Sequence, residues 1–256
     1  EVAVGSSIAG ARSFCGMKHV GLNVAADPLF TASYTGVNAG MVIAVADDPG
    51  MHSSQNEQDS RHYAKAAKLL MLEPSDSEEC LEYAKAAYEL SEKFDTPVIL
   101  RLTTRVAHSR SIVNIGERND IGVKDYVKNP GKYVMMPAMA KKRHIVVEDR
   151  MVAEREWAET ASINTVEYND KKIGVISSGI CYQYAKEALG DRVSYLKLGC
   201  VNPLPIELIK NFAANCDKVY VLEELDPFIE EHCKQIGIDV IGKDEFTLQG
   251  EYSQNL

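Results

Sequence analysis

The apolar run GMVIAVA, residues 40–46, limits the possible folds of this chain more than any other feature. It is continuous rather than alternating and is rich in Val, which is typical of a strand buried on both faces. A helical segment at 75–95 separates it from a second such run within TPVILRLTT, residues 96–104. Strand and helix in alternation predict a parallel sheet with helices on both faces.

The same alternation returns in the last third of the chain, where strand, turn and helix are predicted in each of three segments: 171–189, 193–213 and 217–237. Residues 119–137 carry Gly and Pro and are predicted to be irregular. The sequence therefore predicts an α/β fold of two parallel-sheet αβα units joined by a helical connector. The predicted divisions are 1–110, 111–169 and 170–256.

Further helices are predicted on each side of these strands. Residues 1–15 and 61–70 have helical patterns, and the helix at 75–95 is expected to start at Ser75 or Ser77 because acidic residues fill its first turn. Residues 138–161 are predicted to be one long helix that packs across domains. Its apolar stripe consists of Met139, Val146, Ala153 and Trp157.

The segment ADDPGMHSSQNEQDSR, residues 46–61, follows directly on the first buried run. In parallel α/β sheets ligands bind at the carboxyl ends of the strands, which is where this segment should lie. A solvated loop ending in a helix N-cap would explain only part of so many amides and hydroxyls. We interpret its part from His52 to Arg61 as a polar lip that holds a small ligand or a partner domain.

Two basic clusters also follow predicted strands. Lys18 and His19, with Asn23 one turn later, have the chemistry to hold a carboxylate or phosphate, but such a pair is equally common on plain surfaces. For the second cluster a structural role is favoured over anion binding; it consists of Arg101, Arg105, His108 and Arg110.

The turn GVISSGICYQ, residues 174–183, invites a comparison with two known motifs. It lacks the spacing of the G-x-S-x-G nucleophile elbow and of the G-x-G-x-x-G phosphate-binding turn. A close-packed turn between a strand and a helix is therefore predicted there.

The composition and net charge of the chain exclude several classes of partner and site. The net charge of −9 makes nucleic acid an unlikely partner, because phosphate backbones are bound through Lys and Arg. Apolar runs are too short for a membrane span, so no membrane is expected. Six cysteines form no C-x-x-C pair and six histidines have no ligand spacing. This pattern predicts a reducing cytoplasm and no metal in this chain.

Several segments together resemble a known family. They are similar to the alpha subunit of the indolepyruvate:ferredoxin oxidoreductases, and DDPGMHSSQNEQDSR is the longest and most specific match. The matching segments are MKHVGLNVAADP (17–28), VADDPGMHSSQNEQDSR (45–61), RLTTRVAHSR (101–110), LKLGCVNPLP (196–205) and VLEELDPFIEE (221–231).

The resemblance implies a thiamine-diphosphate enzyme that oxidatively decarboxylates aryl 2-oxo acids such as indole-3-pyruvate. The acyl group would pass to coenzyme A, and electrons would pass through iron–sulfur clusters to ferredoxin. Residues 1–110 would be an N-terminally truncated pyrimidine-binding domain, and residues 170–256 a transketolase C-terminal-like domain. A second (beta) subunit and homodimerisation are also expected.

Some parts of the family pattern are expected outside this chain. In this family the glutamate that activates the cofactor precedes the position of Glu1. The Gly-Asp-Gly motif for Mg²⁺ and the diphosphate, and the clustered cysteines for iron–sulfur clusters, would follow Leu256. We therefore interpret the chain as a fragment that is inactive alone, and its catalytic residues are unknown.

The resemblance places the polar lip at the seam between a pyrimidine domain and a diphosphate domain. Asp59 and Arg61 are expected to fix the loop. Two alternatives stay open: a related oxidoreductase for pyruvate-type 2-oxo acids, and a non-catalytic scaffold for subunit assembly. The residues implied to bind the cofactor are Lys18, His19, Asn23, His52, Ser53, Ser54, Gln55 and Asn56.

Overall fold

The computed structural model describes residues 1–255 and contains two β-sheets flanked by helices, which confirms the predicted α/β class. The first 158 residues form α1 (Val2–Ile8), β1 (Ser13–Lys18), α2 (His19–Val24), α3 (Ala26–Thr35), β2 (Met41–Asp47), α4 (Arg61–Ala67), β3 (Leu70–Leu72), α5 (Ser77–Phe94), β4 (Val98–Thr103), α6 (Thr104–His108), α7 (Pro130–Tyr133) and α8 (Pro137–Ala158). The remaining elements are β5 (Thr165–Glu167), β6 (Ile173–Ser177), α9 (Gly179–Leu189), β7 (Ser194–Lys197), β8 (Cys200–Asn202), α10 (Ile206–Ala213), β9 (Lys218–Leu222) and α11 (Phe228–Gln235).

The first sheet has the strand order β1-β2-β4-β3-β8. Its first four strands are parallel, and β8 pairs antiparallel with β3 at the edge. β2 lies inside this sheet, and Val42, Ile43 and Val45 are buried. Burial on both faces explains why this strand reads as a continuous apolar run rather than an alternating one.

The second sheet has the strand order β5-β7-β6-β9. β6 pairs in parallel with β7 and β9, whereas β5 adds an antiparallel edge. A core that includes Ile176, Leu196 and Phe212 lies on one side of it. The division into three parts stays a prediction; β8, which lies within 170–256, pairs with the first sheet.

The first helix is shorter than predicted. α1 ends at Ile8, and Gly10 has a φ of 105°, which L side chains rarely adopt. A Cβ at Gly10 would also meet the carbonyl oxygen of Lys124. The chain then enters β1, a strand that the prediction of a helix over 1–15 missed.

The short strands β3 and β8 were not predicted. α4 ends at Ala67 because Lys68 takes a left-handed conformation with φ 57°, and β3 follows within two residues. Strands of three residues carry too little pattern to be separated from the helix or loop beside them.

The cap of α5 also differs from the prediction. Asp76, not Ser75 or Ser77, caps the helix, and its carboxylate accepts from the backbone N–H of Glu79 at 2.9 Å. Glu79 in turn accepts from the N–H and hydroxyl of Ser75, both at 2.8 Å. The helix start is thus held by a reciprocal pair of hydrogen bonds.

The predicted apolar stripe of α8 is not its buried face. Val146 is exposed, whereas Val147, Arg150, Glu154 and Ala158 are buried. The terminal nitrogens of the Arg150 guanidinium donate to main-chain carbonyls of α3 and of neighbouring loops, which offsets part of the cost of burying this charge. The apolar stripe did not predict the buried face because that face mixes two apolar residues with two charged ones.

The long segment between α6 and α7, residues 109–129, forms neither helix nor strand. The prediction that 119–137 is irregular therefore holds for 119–129 but is wrong for Pro130–Tyr133, which form α7. Across residues 1–255, the helices are too short or too polar to cross a membrane.

Candidate functional site

Three parallel strands of the first sheet end at one edge, and each end carries polar groups. β1 ends at Lys18, β2 at Asp47 and β4 at Thr103. In the strand pairing, Lys18 of β1 lies opposite Ala46 of β2, and Asp47 of β2 lies opposite Thr103 of β4. Residues 48–58 leave the sheet at this edge and stay at the surface, and in the structure the name lip refers to these residues. The lip therefore lies at the carboxyl edge of the sheet, where ligands of α/β proteins bind.

Asp48 organises the lip. Its carboxylate accepts from the backbone N–H of Ser53 at 3.0 Å and from the hydroxyls of Ser54 at 2.7 Å and Thr104 at 2.8 Å. The N–H of His52 donates to it as well, at 3.3 Å. Burial acts to raise the pKa of Asp48, but these hydrogen bonds outweigh it and hold the pKa below its usual range.

Lys18 crosses from β1 to the lip. Its Nζ donates to the carbonyl and hydroxyl oxygens of Ser53, at 2.9 and 2.8 Å, and lies 3.6 Å from Asp48. The ammonium group is therefore engaged in holding the loop. An anion would have to share it with these oxygens.

His19 lies beneath the lip rather than on its outer face. Its side chain is 1% exposed. Nε2 is 3.1 Å from the carbonyl oxygen of Asn56, and Nδ1 is 3.5 Å from that of Ala46. The imidazole thus links the end of β2 to the far side of the lip.

The other predicted site residues divide by exposure. His52, Ser53, Gln55 and Asn56 are exposed, and Ser54 is half-buried because it binds Asp48. Asn23 is exposed on α2, where its Oδ1 accepts from the hydroxyl of Tyr63 at 2.7 Å. The outer face of the lip therefore presents amide, hydroxyl and imidazole groups.

Residues near the end of the chain fasten the lip from the other side. Glu251 contacts His52 at 3.1 Å and accepts from Nε of Arg105 at 2.5 Å. Glu57 accepts from the N–H of Gly50 at 2.6 Å and from that of Gly250 at 3.1 Å. The lip is thus held between the first sheet and residues 250–251.

The last residues of the polar segment point inward and join a buried ionic network, which we term the hub. Arg61 is 0% exposed and donates to both oxygens of Asp59, to Glu223 at 2.5 Å and to the carbonyl oxygen of Glu224 at 3.0 Å. Arg101 donates to Asp47 at 2.7 Å and Glu73 at 2.6 Å. The hub consists of Asp47, Asp59, Arg61, Glu73, Arg101 and Glu223.

The hub contains four carboxyl groups and only two guanidinium groups. The pKa values of Asp47, Asp59 and Glu223 shift in different directions. Burial raises the pKa of Asp47 and that of Glu223, because it penalises the charged form. Burial opposes ionisation of Asp59 too, but the charges of Arg61 and Arg101 outweigh it and lower its pKa. The hub therefore favours fewer negative charges than its carboxyl count suggests.

The hub gives Asp59, Arg61 and Arg101 structural roles, as the sequence predicted for all three. Sequence reasoning missed their acidic partners Glu73 and Glu223. An available signal was the position of Arg101 inside a buried strand, since a charge there requires a partner.

One group of possible metal ligands lies beside the hub. One ligand atom each from Asp59, His62 and Asp226 lie within 4.8 Å of one another. Both oxygens of Asp59 already accept from Arg61, and His62 lies 2.8 Å from Asp226. These contacts explain the cluster without an ion.

A protein-family model matches residues 1–174. It describes the thiamine-diphosphate-binding region of the pyruvate flavodoxin/ferredoxin oxidoreductases. The match covers both the strands that end at the lip and the long helix α8.

Curated relatives extend the match to the rest of the chain. The chain is 42% identical to indolepyruvate oxidoreductase subunit IorA of Archaeoglobus fulgidus over 262 residues, covering 100% of this chain and 42% of the relative. It is 43% identical to the subunit of the same name from Methanothermobacter thermautotrophicus, covering 100% of this chain and 43% of the relative. The chain thus spans about two fifths of the length of these relatives. The resemblance that the sequence motifs indicated is confirmed.

Two solved structures share the fold. A 2-oxoglutarate:ferredoxin oxidoreductase from Magnetococcus marinus, with 2-oxoglutarate, coenzyme A and succinyl-CoA bound, superposes with a TM-score of 0.77 at 17% identity, covering 99% of this chain and 53% of that one. A split-gene transketolase, an inactive beta4 tetramer, superposes with a TM-score of 0.58 at 17% identity, covering 94% and 69%. At this identity the likeness concerns the fold alone.

Proposed function

Since the chain belongs to the pyruvate flavodoxin/ferredoxin oxidoreductase family, in its thiamine-diphosphate-binding region, we propose that it forms one wall of a thiamine-diphosphate site. The lip is the part of the chain that would face the cofactor. The observation that carries this proposal is the position of the lip at the carboxyl edge of a parallel sheet with its amide groups outward.

The donor set fits the pyrimidine ring of the cofactor better than its diphosphate. The lip contains Asp48 and Glu57 but no Lys or Arg. Diphosphate binding calls for cations or a metal, whereas an aminopyrimidine ring is neutral and needs hydrogen-bond donors and acceptors. Amide groups supply both. We therefore place the diphosphate and its Mg²⁺ in a part of the protein outside this chain.

We divide the predicted site residues into two roles. His52, Gln55, Asn56 and Asn23 are exposed and would contact the cofactor, the substrate or the facing domain. The holding residues Lys18, His19, Ser53 and Ser54 fix the lip through the contacts described above. When bound, thiamine diphosphate supplies the reactive carbon and electron sink that let a 2-oxo acid lose CO₂.

For the whole protein we propose oxidation of an aryl 2-oxo acid, with indole-3-pyruvate as substrate. The names of the relatives at 42–43% identity support this class. Coenzyme A as acyl acceptor is supported by the structural neighbour that binds it. Ferredoxin, iron–sulfur clusters, a second (beta) subunit and homodimerisation complete the proposal, together with a cytoplasmic location and the division at 1–110, 111–169 and 170–256.

The test uses full-length protein with its partner subunit. His52→Ala and Asn56→Ala should each lower kcat/KM for indole-3-pyruvate at least about tenfold, which corresponds to about 1.4 kcal/mol of transition-state stabilisation. Asn119→Ala, in the exposed segment 109–129, is the matched control and should retain wild-type kinetics. Thermal unfolding of each variant separates a site effect from a folding effect.

Unchanged kinetics in both lip variants would remove the proposed role of the lip. Wild-type protein that does not bind thiamine diphosphate in a titration would instead support the scaffold reading. We also expect the 256-residue chain alone to give no product from indole-3-pyruvate, coenzyme A and an electron acceptor.

A further inference from the structure

A second cleft lies at the amino end of β3, and one of its lining residues, Phe228, contacts Arg61 of the hub. It has a volume of about 470 Å³, within the range of small-molecule sites. Its walls come from α4, α8, α10 and α11 and from the turn after β8, where Asn202 donates to the carbonyl oxygen of Leu69. Because β3 runs parallel to β2, this end of the sheet is opposite to the edge that carries the lip.

Positive side chains from two helices line the cleft. Lys65 and Lys68 come from the end of α4, and Arg155 comes from α8. Lys68 is paired with Glu148 at 2.5 Å, and Lys65 lies over the ring of Phe228 at 5.5 Å. The buried Nε of Arg155 has no hydrogen-bond partner within residues 1–255.

A third helix, α11, also contributes a buried polar atom that has no hydrogen-bond partner among the described residues. His232 of α11 lines the cleft, and its buried Nε2 also lacks a partner among the described residues. Burial, followed by the charges of Arg155 and Lys65, lowers the pKa of His232 to about 4, although Glu159 opposes this. The imidazole is therefore neutral at pH 7 and lies in a positive local field.

The acidic side chains near the cleft are already engaged. Glu148 binds Lys68 and lies 2.8 Å from His144. Glu159 accepts from the backbone N–H groups of Ile206, Glu207 and Leu208 at the start of α10, at 2.7 to 3.0 Å. Arg155 and Lys65 thus carry charge that the neighbouring carboxylates do not take up.

We propose that this cleft binds a phosphate-bearing small molecule. Arg155, His232 and Lys65 converge from three helices, an arrangement that suits a group with three oxygens better than a planar carboxylate. Apolar side chains form the rest of the wall and would pack against the organic part of the ligand; they are Met151, Leu204, Ile206, Phe228 and Ile236.

The test is calorimetric titration of the chain with phenyl phosphate, inorganic phosphate and benzoate. Phenyl phosphate should bind with a Kd of about 1 mM or lower and more tightly than the other two, since it alone offers both a phosphate and an apolar ring. Arg155→Gln should weaken binding at least about tenfold. Lys141→Gln removes a positive charge from an exposed position on the same helix and should leave binding unchanged.

NMR of the His232 imidazole in wild-type protein provides a measurement that needs no variant. Bound phosphate should raise its pKa by about one unit or more, because a nearby anion favours the protonated ring. Failure of phenyl phosphate to bind at about 10 mM, equal losses in Arg155→Gln and Lys141→Gln, or an unmoved His232 pKa would each overturn the proposal. The proposal does not depend on the function of the lip.

Discussion

The polar segment 46–61 contributes residues to both the lip and the hub, which lie in opposite environments. Residues 48–58 stay at the surface around Asp48, while Asp59 and Arg61 turn inward. There Arg61 donates to Asp59 and to Glu223, the residue that follows β9. A dense run of polar residues after a buried strand can therefore contribute to two structures, one that stays at the surface and one that joins two sheets.

Asp48 in the lip and Glu224 beside the hub should respond to pH with opposite signs. The pKa of Asp48 is lowered, so its contribution to stability is present at neutral pH and is lost as pH falls through the folded-state value. Glu224, next to the hub, has a pKa that burial raises to about 7. Its contribution is complete at acid pH and is lost as pH rises through about 7.

The largest expected effect is the loss of the hub. Arg61→Met should lower the free energy of unfolding by about 3–5 kcal/mol, because Asp59 and Glu223 would be left buried without their main cation. Urea unfolding at pH 7 measures this. The control is Arg105→Met, which breaks an exposed ion pair with Glu251 and should cost about 1 kcal/mol or less. Equal losses in the two variants would contradict the distinction between a buried hub and an exposed lip.

The sequence predicts the position of the lip but not the contacts of the hub. The strand β2 and the position of the lip after it followed from the apolar run, since a buried parallel strand has a distinct pattern and ligand sites follow strand ends. The partners of Arg61 could not be predicted in the same way. Glu223 lies 162 positions away, and only the packing of the two sheets brings the two residues together.

For the lip, the sequence predicted that the segment follows a buried strand, but it did not predict the direction of each side chain. Lys18 was predicted to bind an anion or to lie on a plain surface, and it holds Ser53 instead. His19 is buried under the loop. These orientations depend on main-chain carbonyls of Ser53, Ala46 and Asn56, which sequence patterns do not locate.

The second effect concerns Glu224 and isolates the pH response near the hub. An unfolded glutamate titrates near pH 4.3, so a folded-state pKa of about 7 implies up to about 4 kcal/mol of stability lost between pH 4 and pH 8. Glu224→Gln removes this titration and can still accept from the N–H of Tyr252. Its free energy of unfolding relative to wild type should therefore rise with pH. A difference that stays constant from pH 5 to pH 8 would show that Glu224 titrates normally.

The smallest effect tests whether Asp48 organises the lip. Asp48→Asn keeps the shape of the side chain but replaces one acceptor oxygen by a donor NH₂, which faces the N–H groups and hydroxyls that now donate to the carboxylate. We expect a loss of about 1–3 kcal/mol at pH 7 and faster hydrogen exchange at the amides of residues 52–54. Asp120→Asn, in the exposed segment 109–129, should change neither quantity.

The stability deficit of Asp48→Asn should shrink as pH falls through the lowered pKa of Asp48, because protonation removes the same charge from the wild-type chain. Unaltered exchange at residues 52–54 would mean that Lys18, His19 and Glu251 hold the lip without Asp48.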